Sequence, residues 1–477
     1  MNCLSNKNAK RLSHRRLRGL ALFFGALMSG IVLSAGAAET YQNLSLSHAI
    51  EIALKNNVEK QISYQSALIA ESQYQQALSA RWPTLTLQAG FQHRDKAPMF
   101  EVPASNVPLP TPIFMATGVS SVTAPAQTIK LMDQNVSSAA LQLMYPLYTG
   151  GKITSITNQA GISKEIAQEE IRRTSLQVVR DVKRYYYAAQ LTRELDKTAK
   201  EIVSSLNSTR DFTKSLYEGG SETVNKLDFI KTELAVSYAK SVEIDFASKH
   251  KAAIAALANT MGISWDSQIT IESPLSNQPN QDSQLEALIK QANQFNPQIN
   301  ILKLAVRASN EKIDEAQSGY FPQIALSAEA KHLDSNVDTA LINGSTKDSW
   351  TIGVGISMPL FNGGLTSHQV NTAKLQSSQM QDKQKLVEQG IATLVKNLFI
   401  EYDSARQQIA ISEQASKQAQ ENVDLTSRAL QIGASKPQDM VESTILEGIV
   451  KGNLLRAQHD QQLKLAEINY VLGSEAQ

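Results

Sequence analysis

Cysteine is almost absent. The one cysteine in 477 residues is Cys3, inside an N-terminal segment expected to be removed, so the mature chain is expected to hold no disulfide and no thiol chemistry. Aromatics reach only 6% and charged residues 19%, while Ala, Ser and Gln recur throughout. That mix suits long, polar-faced helices better than several compact cores. Beyond the N-terminus there is no second long apolar run, so no helix of the mature chain is expected to span a membrane.

Histidine is sparse and scattered: His14, His48, His93, His250, His332, His368 and His459. None falls in a ligand spacing such as HExxH, so they read as surface or lumen residues and no metal site is expected. The stretch from Tyr148 to Thr154 fails as a phosphate loop. Pro146 stands where its first glycine belongs, and Ile153 follows Lys152 where Ser or Thr is required. No GxSxG nucleophile motif occurs. No cofactor is expected, and the chain does not read as an enzyme.

The first 38 residues read as a secretory signal peptide. Lys7, Lys10, Arg11, Arg15, Arg16 and Arg18 precede an apolar run from Leu20 to Leu33, and Ser34 to Ala38 offers small residues for cleavage near Ala37 or Ala38. The apolar run falls short of the roughly 20 residues of a spanning helix. Removing this segment leaves 40 Lys+Arg against 45 Asp+Glu, a net charge of −5, which argues against nucleic acid as a partner.

The mature chain repeats itself. Pro83 and Pro322, Trp82 and Phe321, Leu87 and Leu326, and Asn57 and Asn296 all pair at an offset of 239 residues. Tyr145 to Gly151 matches Met358 to Gly364 at an offset of 213, which persists to Gly220 and Gly433. The difference of 26 residues lies in a proline-rich stretch after Phe91, read as a long loop. The boundaries expected are a first repeat over 39–262, a linker over 263–283 and a second repeat over 284–477.

Each half reads as two helices, strand, loop, strand and two long helices. Strands are expected near 83–92, 137–146, 322–331 and 349–359. Leu85, Leu87, Ala89 and Phe91 alternate with polar or small residues, as do Ile352, Val354 and Ile356. Such strands have one apolar and one polar face. On alternation alone a half-buried antiparallel sheet of a soluble domain is the favoured reading. The strand length, the export signal and the ring residues at the strand ends (Trp82, Tyr145, Tyr148, Tyr320, Phe321, Trp350 and Phe361) favour an outer-membrane barrel with an interface girdle. Four strands cannot close a barrel, and an open edge in lipid leaves backbone groups unpaired, so membrane-spanning strands would require oligomerisation.

Long helices are expected over 153–216, 223–262, 365–431 and 437–472. Leu195, Ala199, Ile202, Leu206 and Thr209 follow coiled-coil spacing, as do Val450, Leu454 and Ala457. Bundle and hollow tube fit these stripes equally well. Gly220 and Gly433 sit where helix C-caps use left-handed residues, and Pro437 suits the start of the next helix.

The duplicated strand–loop–strand–Pro-Leu-(Tyr/Phe)-x-Gly-Gly–long-helix order resembles the TolC-like outer-membrane efflux proteins over about 44–473. The resemblance implies a fold that is mainly α with β. Antiparallel helical coiled coils would form a trimeric α-barrel, capped by a 12-stranded outer-membrane β-barrel with four strands per protomer. It implies a homotrimeric passive exit duct of a tripartite efflux pump or type I secretion system, set in outer-membrane lipid and reaching across the periplasm. Its partners would be a periplasmic adaptor (membrane fusion protein) and an inner-membrane transporter. It also implies that Asp439 and Glu442 ring a periplasmic constriction, where carboxylates would attract cations; a solvated acid in a first helical turn is the plainer reading of either. Where relatives of this family carry a tip-locking tyrosine and arginine, this chain has Leu430 and Ser435, with Lys436 adjacent. The competing reading is a soluble periplasmic coiled-coil structural or adaptor protein.

Overall fold

The structure is a computed structural model that describes residues 40–272, 284–335 and 347–474. The expected signal peptide and most of the expected linker lie outside the described residues. In chain order the elements are β1 (Thr40–Leu44), α1 (Leu46–Asn56), α2 (Val58–Ser79), β2 (Thr84–His93), β3 (Met99–Val102), β4 (Ser105–Pro108), α3 (Thr111–Thr117), β5 (Ser121–Ala124), β6 (Gln127–Lys130), β7 (Asn135–Tyr148), α4 (Lys152–Glu218), α5 (Lys226–Met261), β8 (Gln268–Ile271), α6 (Leu285–Phe295), α7 (Pro297–Gln317), β9 (Gln323–Ser335), β10 (Asp348–Ser357), α8 (Leu365–Gln431) and α9 (Pro437–Leu472).

Two helices of 67 residues, α4 and α8, dominate. At 1.5 Å per residue each is about 100 Å long. Helices of that length persist because neither contains proline and because shorter helices flank them: α2, α5, α7 and α9 pack on α4, and α7 and α9 on α8. The expected stripe is the buried seam of α4, with Leu195, Ala199, Leu206 and Thr209 all buried. Where α4 meets α5 and α9, Val203, Leu206, Val236, Ala239 and Val441 form one cluster. Two larger clusters gather at mid-length. One joins Val178, Val182, Tyr186, Leu257 and Met261; the other joins Leu288, Ile299, Val395, Leu398 and Leu472. Full burial of such side chains contributes about 1.5–3 kcal/mol each.

Helix α5 starts at Lys226, three residues later than position 223. Asn225 caps it, accepting from the Leu227 and Asp228 amides, while the Asp228 carboxylate accepts from the Asn225 amide. That reciprocal box fixes the start and leaves the preceding residues as turn.

The proline-rich stretch is not a plain loop. It folds into two antiparallel ribbons, β3 with β6 and β4 with β5, around the short α3. Residues 263–272, expected as linker, contain β8, which pairs in parallel with β1. The Tyr186 hydroxyl donates to the Leu44 carbonyl at 2.9 Å and ties this pair to α4.

The main sheet has the order β10-β9-β7-β2 and is antiparallel throughout. Strand β7 runs to Tyr148, and its register on β9 shifts between Pro146 and Tyr148. Pro146 has no N–H to give the ladder, so an irregularity there is expected. Strands β7 and β9 extend past the expected ends because Val136 pairs Ser335 and Ser137 pairs Asp334.

Candidate functional site

The register sorts the sheet into two chemically distinct faces, since directly paired residues share a face. One row runs Leu85, Leu143, Ala328, Ile352; the next runs Leu87, Leu141, Ala330, Trp350. The intervening row runs Thr86, Gln142, Glu329, Thr351, and the Gln142 amide donates to Glu329 at 3.0 Å across it. Both faces are open in the single chain. Leu87 is 71% exposed and Trp350 77% exposed, far from the half-buried state of an ordinary soluble sheet. Among the described residues the outer edges of β2 and β10 carry no neighbouring strand.

The ring residues do not spread evenly over the two ends of the sheet. Trp82, Tyr145, Tyr148, Tyr320, Phe321 and Phe361 all lie at the end where the helices attach, and Trp350 alone lies at the far end. Phe91, left out of the expected girdle, joins Trp350 there, paired with Ser137 and 68% exposed. Its alternating position in the first strand was the signal for it.

Paired glycines make the turn from sheet to long helix. Gly150 has φ +64°, and a Cβ on it would stand 2.7 Å from Phe321 Cβ and 2.8 Å from the Ser318 carbonyl oxygen. Only glycine allows that approach together with that backbone.

At the other end of the long helices, the α4–α5 turn holds Tyr217 stacked on Phe229 with ring centroids 6.2 Å apart. In the α8–α9 turn, the Asp439 carboxylate accepts from the Lys436 amide and from the Ser435 hydroxyl, both at 2.9 Å. Those bonds hold the Asp439 carboxyl below its usual range, the Lys436 amide contributing most and the Ser435 hydroxyl next. Ser435 therefore orients an acid instead of supplying a cation. Glu442 lies one turn on, exposed, and accepts from the Gln438 amide at 2.9 Å. Leu430 is buried at the end of α8. Below the turn the seam is polar: Asn422 and Thr426 both lie 3.1 Å from Ser443 Oγ, and Thr444 is fully buried. The buried Glu447, paired with Lys451 at 2.7 Å, is a further acid of α9 that the sequence reading missed; its i,i+4 spacing was the available signal.

One histidine departs from expectation. His250 is wedged between α5 and α4, its Nδ1 3.1 Å from the Ala189 carbonyl oxygen, and burial holds its pKa down. Among the described residues no group of three His, Cys, Asp or Glu could hold a metal, and no helix is long and apolar enough to cross a membrane.

A helix-rich chain with an open four-stranded sheet at one end of two 100 Å-scale helices defines the class of outer-membrane channel subunits. The family model described as outer membrane efflux protein matches residues 49–263 and 288–474, and the chain belongs to that family, whose members are ducts and not enzymes. It is similar to the solvent efflux pump outer membrane protein SrpC of Pseudomonas putida, 25% identical over 349 residues, covering 71% of this chain and 66% of that protein. It is also similar to the outer membrane protein TolC of Salmonella enteritidis, 23% identical over 195 residues and 40% of each chain. A crystal structure of CusC, described in terms of transmembrane channel formation, superposes with a TM-score of 0.73 at 18% identity, over 93% of this chain and 96% of that one.

Proposed function

We propose that three copies of this chain form a passive exit duct through the outer membrane, the outermost part of a tripartite efflux pump or type I secretion system. The observation that carries this reading is the sheet. It has one apolar face and one polar face, both bare in the single chain, and two unpaired edges. Lipid covers the apolar face, water fills the polar one, and β10 of each copy pairs with β2 of the next, closing 12 strands with no edge left in lipid. The six ring residues at the helix end mark the periplasmic interface; Trp350 marks the outer one.

The two halves, 39–262 and 284–477, arose from one duplicated unit joined by a linker over 263–283. Equal long helices of 67 residues and equal partners of 36 support this. The chain reaches the outer membrane after cleavage of a signal peptide over 1–38. The helical turns form the periplasmic tip, where Asp439 and Glu442 from three copies ring the constriction and a periplasmic adaptor docks, linking the duct to an inner-membrane transporter that supplies the energy. The solvent efflux pump relative supports small solutes as cargo; drugs and polypeptides would use the same lumen.

The test is fractionation of cells expressing the full chain, followed by light scattering of the detergent extract. Protein in the outer-membrane fraction, extracted only by detergent and with three times the mass of the mature chain, is the expected result. A soluble periplasmic monomer would overturn the reading and restore that of a coiled-coil scaffold.

A further inference from the structure

We infer that the cleft where α4, α7 and α8 meet the sheet binds a phosphate group, held by Lys152, Lys312 and His368. The cleft has a volume of about 550 Å³, and Glu315, Gln323 and Leu365 are among the other residues that line it. That volume lies in the range of small-molecule sites.

The charge balance favours an anion. Glu315 is the only carboxylate lining the cleft, and its Oε2 already accepts from Lys312 and from Gln159, both at 2.8 Å. These two bonds, with the charges of Lys312 and Lys152, outweigh the effect of burial and keep the Glu315 carboxyl below its usual range. One N–H of the Lys312 ammonium is thus held by Glu315, and its other two remain to donate. Lys152 and His368 have no side-chain hydrogen-bond partner among the described residues and face the same space. Lys152 and Leu365 are also the first residues of α4 and α8, whose caps are glycines with no side-chain acceptor, so the positive ends of two long helices add to the same field. A phosphate offers several acceptor oxygens to all three donor side chains at once, and charge-assisted bonds of this kind are the strong ones. The wall is mixed, with Ala316, Leu365 and Ala373 beside the lysines and His368, and the concentration of cationic and donor groups favours phosphate over an apolar solute.

The phosphate could be soluble or the headgroup of a phospholipid, and the experiment separates the two. Detergent-solubilised full chain is titrated calorimetrically with sodium pyrophosphate, and separately incubated with short-chain phosphatidylglycerol and weighed by native mass spectrometry. Lys152→Gln with Lys312→Gln should weaken binding by about tenfold or more, as expected for loss of charge-assisted bonds, and Glu315→Gln should strengthen it by freeing Lys312. Lys303→Gln, an exchange on α7 outside the cleft, and the charge-keeping Lys152→Arg with Lys312→Arg should bind as the parent does. Pyrophosphate heat without retained lipid identifies a soluble anion; lipid retained by the parent and lost in the double glutamine variant identifies a headgroup. Binding unchanged in that variant, or no binding of either probe by the parent, overturns the inference. Both readouts are equilibrium binding, so they stand or fall apart from conduction by the duct.

Discussion

Asn296 donates from Nδ2 to the Val471 carbonyl oxygen at 2.7 Å, closing the C-terminal end of α9 against the elbow between α6 and α7. Its Oδ1 meanwhile caps α7 by accepting from the Gln298 amide at 2.9 Å. Asn57 does the same in the first half, donating to the Thr260 carbonyl at 2.8 Å and accepting from the Lys60 amide at 3.2 Å. One amide therefore serves as helix N-cap and as C-terminal clamp for a different helix. Asn296→Ala leaves a buried carbonyl unpaired and a helix uncapped, at a cost of about 1–3 kcal/mol for the first and about 1 kcal/mol for the second. A thermal melt of the solubilised protein should show a clearly lowered midpoint, and Asn296→Asp should not restore it, because it has no donor for Val471. An alanine variant melting with the parent would show the clamp to be idle.

The two faces of the sheet make opposite demands on neighbouring positions. Ile352→Lys places a charge on the apolar face, where a lysine near the bilayer midplane costs about 2–4 kcal/mol. Thr351→Lys, one residue earlier, enters the polar face. The first should reduce heat-resistant oligomer in the outer-membrane fraction sharply, and the second should leave its level near that of the parent. Equal tolerance of both lysines would contradict the proposed lipid face.

Gly150 and Gly151 separate two kinds of glycine requirement. Both have positive φ, but a Cβ on Gly151 would meet nothing within 4 Å, while one on Gly150 would collide with Phe321 and Ser318. Gly151→Ala should cost only the backbone penalty of about 1–2 kcal/mol. Gly150→Ala should lower the melting midpoint further, because part of the collision is with backbone. Comparing the two variants by scanning calorimetry tests the order; the reverse order would be incompatible with this junction.

Asp439→Asn keeps an oxygen that can accept from Lys436 and Ser435 but removes the charge. In a Glu442→Gln background it should reduce cation preference in bilayer recordings while changing thermal stability little. The pH dependence has a definite sign. The Asp439 carboxyl lies below its ordinary 3.8 in the folded state, so the stability and charge it contributes are present above that value and disappear as pH falls through the lower folded value. Cation preference due to Asp439 should therefore survive at pH 4. Its disappearance at pH 5 would assign the selectivity to another group.

Long-period signals were the legible ones. The strand faces, the two long helices and the glycine turns all follow from alternation, absence of proline and duplicated spacing, which report burial and backbone geometry residue by residue. The ribbons formed by β3 with β6 and by β4 with β5 did not show, because four-residue strands set between prolines carry too few alternations to register. The pairing of β1 with β8 joins Tyr41 to Ile269, and parallel pairing across such a separation leaves no local mark. At the tip, Asp439 was named through the family resemblance, by its distance from the turn glycine. The part played by Ser435 needed coordinates, since a serine four residues before an acid also occurs on many exposed turns.

The unbroken length of α4 and α8 makes each of them a lever. Their fulcrum is the Gly150–Gly151 or Gly363–Gly364 hinge beside the sheet, and their load is the turn about 100 Å away. A tilt of a few degrees at the hinge, too small to disturb the strand ladder, becomes a displacement of several ångströms at the tip. The seam near that turn includes Asn422, Thr426 and Ser443, whose bonds can be exchanged for water one at a time, beside the buried Leu430, Met440 and Val441. In the proposed duct, small forces applied at the far end of such a rod would be geometrically amplified, and the stiffness of the shaft would set how far its tip moves.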